Sequence, residues 1–96
     1  MSAVKLAPRA RDDLVRIWRY TAERWSQAQA DSYLRLINQE IVKIGSDPRL
    51  ARECDDIRPG YRRRAAQSHV LYFKVAKDGI EIMRVLHKSM DAKRHL

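Results

Sequence analysis

Tyr61-Arg62-Arg63-Arg64-Ala65-Ala66-Gln67-Ser68-His69-Val70-Leu71-Tyr72-Phe73-Lys74-Val75-Ala76 is the stretch whose reading decides the fold. It is rich in β-branched and aromatic residues and has no 3.6-residue rhythm, which is the pattern of strands. Gln67-Ser68 supplies a tight turn in its middle. A third run, Ile80 to His87, follows Asp78-Gly79, a pair that favours two-residue hairpins because both positions tolerate the backbone such turns need. Strands are therefore predicted over Tyr61 to Ala66, His69 to Ala76 and Ile80 to His87, as an antiparallel meander.

Upstream the period is helical. Ala10, Leu14, Ile17, Thr21 and Trp25 recur at helical spacing, with Trp18 widening the stripe, while Arg11, Asp12, Arg16, Arg19 and Glu23 occupy the other face. Ser26 with Gln29 fits a capping box and starts a second helix. Its apolar stripe is Ala30, Tyr33, Leu34, Ile37, Ile41 and Ile44, and Gly45 and Pro48 are expected to stop it. Ala3 to Ala7 reads as a short strand ended by Pro8, a residue that also suits the first helical position. Residues 46–60 read as a loop, acidic at Glu53, Asp55 and Asp56 and closed by Pro59-Gly60. The result is one domain over residues 1–96, an α+β fold of order β-α-α-β-β-β. A helical hairpin packs on one face of a small, mainly antiparallel sheet.

A chain of 96 residues buries roughly 60–65% of its unfolded surface, so its core is adequate rather than generous. Hydrophobic residues make up 45% of it, which excludes a disordered chain. No apolar run approaches the roughly 20 residues that cross a bilayer, and the first residues lack a signal-peptide core. A soluble cytoplasmic protein, with no membrane contact, is expected. The single Cys54 excludes an internal disulfide and a cysteine-based zinc site. Charge is unevenly placed: residues 58–96 hold ten Lys/Arg against three Asp/Glu, whereas residues 1–57 hold ten against nine. One basic surface on the sheet half implies an acidic partner.

On the middle strand, Val70, Leu71, Tyr72 and Phe73 are apolar in succession. Leu71, Phe73 and Val75 are expected to meet the helices, which turns Val70 and Tyr72 to the other face. Either a partner covers them or the C-terminal tail folds back over them. His69, His87 and His95 have no metal-ligand spacing, and Gly45, Gly60 and Gly79 form no phosphate loop, so no cofactor is expected. An acidic loop around Cys54 disfavours its thiolate. Arg62, Arg64, Arg84 and His87 could converge as an RNA-cleaving site, with Arg for phosphate charge and His as acid or base. No second acid–base residue is evident beside His87, and no Tyr follows Arg84, so arginines meeting acidic side chains are the plainer reading. Direct nucleic-acid binding would have Tyr61 and Tyr72 as stacking residues.

The chain resembles the ParE-type toxins of bacterial type II toxin–antitoxin systems, within the RelE/ParE superfamily. The resemblance rests on Leu6-x-Pro8-x-Ala10-x-x-Asp13-Leu14, Ile17-x-x-Tyr20-Thr21 with Trp25, and Gln29-Ala30 before Tyr33. It continues in Ile57-Arg58-Pro59-Gly60-Tyr61-Arg62, Ser68-His69-Val70 and Arg84-Val85-Leu86-His87-x-x-Met90-Asp91, with His95-Leu96 at the end. Gln67 departs from it, since a glycine is usual there. The resemblance implies the same β-α-α-β-β-β fold, and an activity exerted by binding DNA gyrase and blocking replication rather than by catalysis. RelE-type relatives instead cleave mRNA on the ribosome, which is the alternative. It also implies a ParD-like antitoxin as partner, with DNA reached through that antitoxin. An acidic amphipathic segment would bury Val70 and Tyr72 and place carboxylates against Arg58, Arg62, Arg64 or Arg84, with Tyr61 beside them. His87, Lys88, Met90, Lys93 and Arg94 are the candidates for contact with the target.

Overall fold

Pro8 separates the first two elements: it cannot donate to a strand ladder, and its fixed φ opens a helix. In the computed structural model, which describes residues 3–96, strand β1 (Ala3–Leu6) runs into helix α1 (Pro8–Arg24). Ser26 then accepts a hydrogen bond from the Gln29 N–H at 3.0 Å and caps helix α2 (Gln27–Ser46). A single 3₁₀ turn (Pro48–Leu50) and the two-residue strand β2 (Arg52–Glu53) occupy what reads in sequence as loop. Strands β3 (Tyr61–Ala66), β4 (His69–Ala76) and β5 (Gly79–His87) follow, and a one-turn helix α3 (Ala92–His95) ends the chain.

The five strands form one sheet in the order β1-β5-β4-β3-β2, antiparallel except for β1, which runs parallel to β5. That parallel pairing is possible because the helical hairpin carries the chain back across the sheet. It also explains two glycines. A Cβ on Gly79 would lie 1.8 Å from the Ala3 carbonyl oxygen, and one on Gly45 would lie 2.8 Å from Val4 Cγ2. Gly45 therefore does not stop α2: it stays inside the helix and admits β1, and the helix ends one residue later. Gly79 likewise is not part of the turn, because it pairs with Ala76 and leaves Lys77-Asp78 as the two-residue connection. Gln67 does take a left-handed φ of 59°, the conformation for which a glycine would be the unstrained choice.

Two apolar clusters lie on opposite faces of the sheet. The larger joins Ala10 and Ile17 of α1 and Ile37, Ile41 and Ile44 of α2 to Leu71, Phe73, Ile80, Ile82 and Val85. The smaller joins Cys54, Tyr61, Val70, Tyr72 and Leu86 to Ala92, with Ile57, Met83 and Leu96 packed against it. So the chain's own tail covers Val70 and Tyr72, which are 5% and 4% exposed. Val75 does not reach the helices; Lys74, Val75 and Ala76 are all exposed, so the β4–β5 hairpin tip projects beyond the core. Trp25 also leaves the α1 stripe, because the helix ends at Arg24 and its ring is 71% exposed.

Candidate functional site

The predicted arginines do not converge, because strand alternation divides them. Tyr61 and Arg63 face the C-terminal tail. Arg62 and Arg64 face α2 and are held within the chain. Arg62 donates to the Ala51 carbonyl at 3.1 Å and to Glu53 at 3.2 Å; Arg64 donates to the Leu50 carbonyl at 2.9 Å and lies 3.6 Å from Glu40. Tyr61 is buried, with the Arg58 guanidinium 5.4 Å above its ring. Of the seven residues expected to receive a partner, Arg58 alone is openly exposed in the free chain.

Arg84 is the most committed of them. Its Nε and Nη2 donate to the two carboxylate oxygens of Asp13 at 2.8 and 2.9 Å, and its Nη1 donates to the His95 carbonyl at 2.8 Å. Asp13 is the buried charged residue of α1, and its Oδ2 also accepts the Val85 N–H at 2.9 Å. The cause is the topology. β1 hydrogen-bonds to β5 as far as Ala7 N–H to the Ile82 carbonyl, and then the chain turns into α1. Beyond that point β5 has an open edge, and the Asp13 carboxylate takes the acceptor place a strand would have filled. The carboxylate raises the Arg84 pKa further above its usual value. One signal pointed to Asp13: it lies three residues after Ala10 and four before Ile17, inside the buried stripe.

A groove of about 520 Å³ lies elsewhere, between the helices and the far end of β4 and β5. Tyr20, Trp25 and Leu36 form its apolar walls, and each is exposed. Tyr33, Ser68, His69 and His87 form its inner end, and Arg16 stands on its rim. The inner end is pre-organised. Ser68 N–H donates to Tyr33 Oη at 3.1 Å, so the Tyr33 hydroxyl proton is directed to His69 Nδ1, 2.6 Å away. Burial, followed by the neighbouring His87, pushes the His69 pKa down to about 4, so this imidazole is neutral and accepts that proton at Nδ1. His87 is the cross-strand partner of His69, with ring centroids 5.3 Å apart in an edge-to-face arrangement. Its Nδ1 accepts the Ser89 N–H at 3.1 Å.

A second histidine therefore does stand beside His87, contrary to the sequence reading. The pairing is invisible in sequence because it depends on β4–β5 register. Lys88 and Met90 follow His87 on exposed chain, while Lys93 and Arg94 project from α3 on the tail side. The target-facing candidates are thus split between the two faces. Burial raises the Cys54 thiol pKa and so disfavours its thiolate. Among the described residues, no group of three or more His, Cys, Asp or Glu could hold a metal ion. No helix there is long and apolar enough to cross a membrane.

A family model described as the ParE toxin of the type II toxin–antitoxin system parDE matches residues 4–92. The chain is 45% identical over 92 residues to Toxin ParE1 of Mycobacterium tuberculosis, covering 95% of this chain and 94% of that one. It is 41% identical over 96 residues to Toxin ParE1 of Caulobacter vibrioides, covering 100% and 99%. Among solved structures it is similar to a chain of the chromosomal ParDE system from P. aeruginosa, with a TM-score of 0.79 at 18% identity, covering 91% and 96%. A chain of the YoeB-YefM complex from Staphylococcus aureus shares the fold at a TM-score of 0.61, again at 18% identity, covering 91% and 97%.

Proposed function

We infer the function of this chain from the family to which it belongs, the ParE toxins of type II toxin–antitoxin systems. We propose that it arrests growth by binding DNA gyrase in the cytoplasm, turns over no substrate, and is neutralised by a ParD-like antitoxin. The likeness to ParE toxins over nearly the whole chain carries the reading. The place of the antitoxin differs from the sequence expectation. Val70, Tyr72 and Arg84 are already occupied by the tail and by Asp13, so an incoming segment would have to displace them. The helical groove needs no displacement. An amphipathic helix seats apolar side chains against Tyr20, Trp25 and Leu36, and a carboxylate meets Arg16 at the rim. Arg58 remains open for a second acidic contact.

Purified chain, gyrase and relaxed plasmid test the activity. Supercoiling should stop, cleaved DNA should accumulate, and the antitoxin should reverse both. Undiminished supercoiling with toxin in excess over gyrase refutes the target. Trp25→Ala with Leu36→Asp tests the seat and should weaken antitoxin binding at least tenfold while leaving the thermal midpoint in place, since both side chains are exposed.

The His69–His87 pair favours one other reading, ribosome-dependent mRNA cleavage. With Nδ1 accepting in both rings, each imidazole carries its proton on Nε2, where it can hydrogen-bond a phosphate oxygen; to act as a base, a ring must first give up its Nδ1 contact. Cleavage in a translating extract that is lost in His87→Ala would establish it, and intact mRNA under growth arrest would exclude it.

A further inference from the structure

A different surface carries a charge arrangement that neither the groove nor the antitoxin seat uses. Arg52 and Arg63 are cross-strand partners on β2 and β3, so two like charges stand side by side, an arrangement that costs stability. Among the described residues, no carboxylate comes within ion-pair distance of either. Both line a shallow depression of about 460 Å³ with Arg64, Leu50 and Ala65; Arg64 is turned to Glu40 and the Leu50 carbonyl, which leaves the guanidinium groups of Arg52 and Arg63 free at the hollow. Arg63 is held 5.7 Å over the Tyr72 ring, which fixes its position. β2 pairs only with Arg62 and Arg63, so the outer edge of Arg64–Ala66 lacks a strand partner there. The basic character continues along the tail face through Arg58, Lys93 and Arg94. Asp55 and Asp56 border this face, but Asp55 is committed to the Gly60 N–H at 2.9 Å.

We infer that this sheet edge binds the phosphate backbone of duplex DNA directly. Guanidinium forks match phosphate oxygens bidentately, and two unneutralised ones side by side satisfy a polyanion better than a single carboxylate. A peptide segment would want apolar anchorage, and the lining offers only Leu50 and Ala65, in contrast to the aromatic walls of the groove. The interaction fixes no base sequence, since phosphate contacts position without specifying. It places DNA against the sheet edge while leaving the helical groove free. It rests on charge and geometry alone and stands or falls independently of gyrase as target.

Fluorescence anisotropy of the isolated full chain with a labelled duplex of about 20 base pairs tests it. Two phosphate contacts give a slope of about −1.8 in log affinity against log salt, an approximately twelvefold loss between about 50 and 200 mM salt. Arg52→Glu with Arg63→Glu should weaken binding at least tenfold at the lower salt and flatten the slope toward zero. Arg11→Glu with Arg19→Glu makes the same change in net charge on α1 and should leave the affinity within about twofold. Unfolding midpoints of all three proteins confirm that they are folded. If the sheet-edge variant binds like the parent, or the α1 variant loses as much, the inference is wrong. It is equally wrong if the sheet-edge variant keeps DNA but loses antitoxin, which would assign the hollow to an acidic peptide.

Discussion

Replacing Asp13 by Leu should be one of the costliest single changes this chain can suffer. The carboxylate is 5% exposed and accepts three hydrogen bonds, from Arg84 Nε, Arg84 Nη2 and the Val85 N–H. Removing it leaves the Arg84 guanidinium, whose side chain is only 13% exposed, without its counter-charge. Breaking a buried ion pair in this way costs about 3–5 kcal/mol, and the orphaned Val85 amide adds to the upper end of that range. The total stability of a domain this size is about 5–14 kcal/mol, so at least about a fifth of it, and for a marginal domain nearly all of it, is at stake. The thermal midpoint should fall by about 15–30 °C. Arg84→Met should cost about 3 kcal/mol, because the carboxylate then keeps only the Val85 N–H. The double replacement separates charge pairing from packing. It should cost about 2–3 kcal/mol less than the two single losses together, since no unpaired charge is left buried. Urea unfolding followed by circular dichroism measures all four corners of the cycle. Single losses under about 1 kcal/mol that add without coupling would refute the role given to this pair.

The His69 pKa of about 4 lies below its unfolded value near 6.5, so the unfolded chain binds the extra proton first. This contribution to stability is complete above about pH 6.5 and is lost as pH falls toward 4. The imidazole is partly solvated, so the loss should reach about 1–2 kcal/mol, and His69→Gln should flatten that part of a pH series of urea midpoints. Gly79→Ala brings a methyl group onto the Ala3 backbone and should detach β1, costing about 3 kcal/mol or more by the same unfolding measurement. Gln67→Gly removes a left-handed non-glycine residue and should stabilise the chain by about 0.5–1 kcal/mol; a loss of stability would show that Gln67 makes a contact worth more than its strain.

The order of elements could be read directly from residue spacing, because α2 buries one helical stripe and the three long strands are apolar runs cut by turn residues. The bounds of β3 and β4 agree with the sequence reading, and β5 differs by Gly79 alone. β2 escaped that reading because two residues carry no periodicity, and it exists only through its pairing with Arg62 and Arg63. The candidate site was legible only in its residue types. Trp25, Tyr33 and His69 were all visible as residues of interest, but Trp25 and Tyr33 read as core. Arg16 read as one more solvated charge, and Asp13 entered only as a motif residue with no role assigned to its carboxylate.

Composition and patterning pointed to an α+β fold and to positive charge gathered on the sheet half, and the quoted motifs pointed by resemblance to ParE toxins. Those properties are local or additive, so they survive in one dimension. Tertiary structure decided what the charge is for. Arg84 became an internal latch because β1 leaves the sheet and Asp13 takes its place. Val70 and Tyr72 became core because Ala92 and Leu96 of the tail pack with Cys54 and Ile57 on their face of the sheet. His69 and His87 became neighbours, and Arg52 and Arg63 an unneutralised pair, through strand register alone. Register and edge exposure depend on which distant segments meet, and a sequence of side chains does not contain that until the backbone has closed.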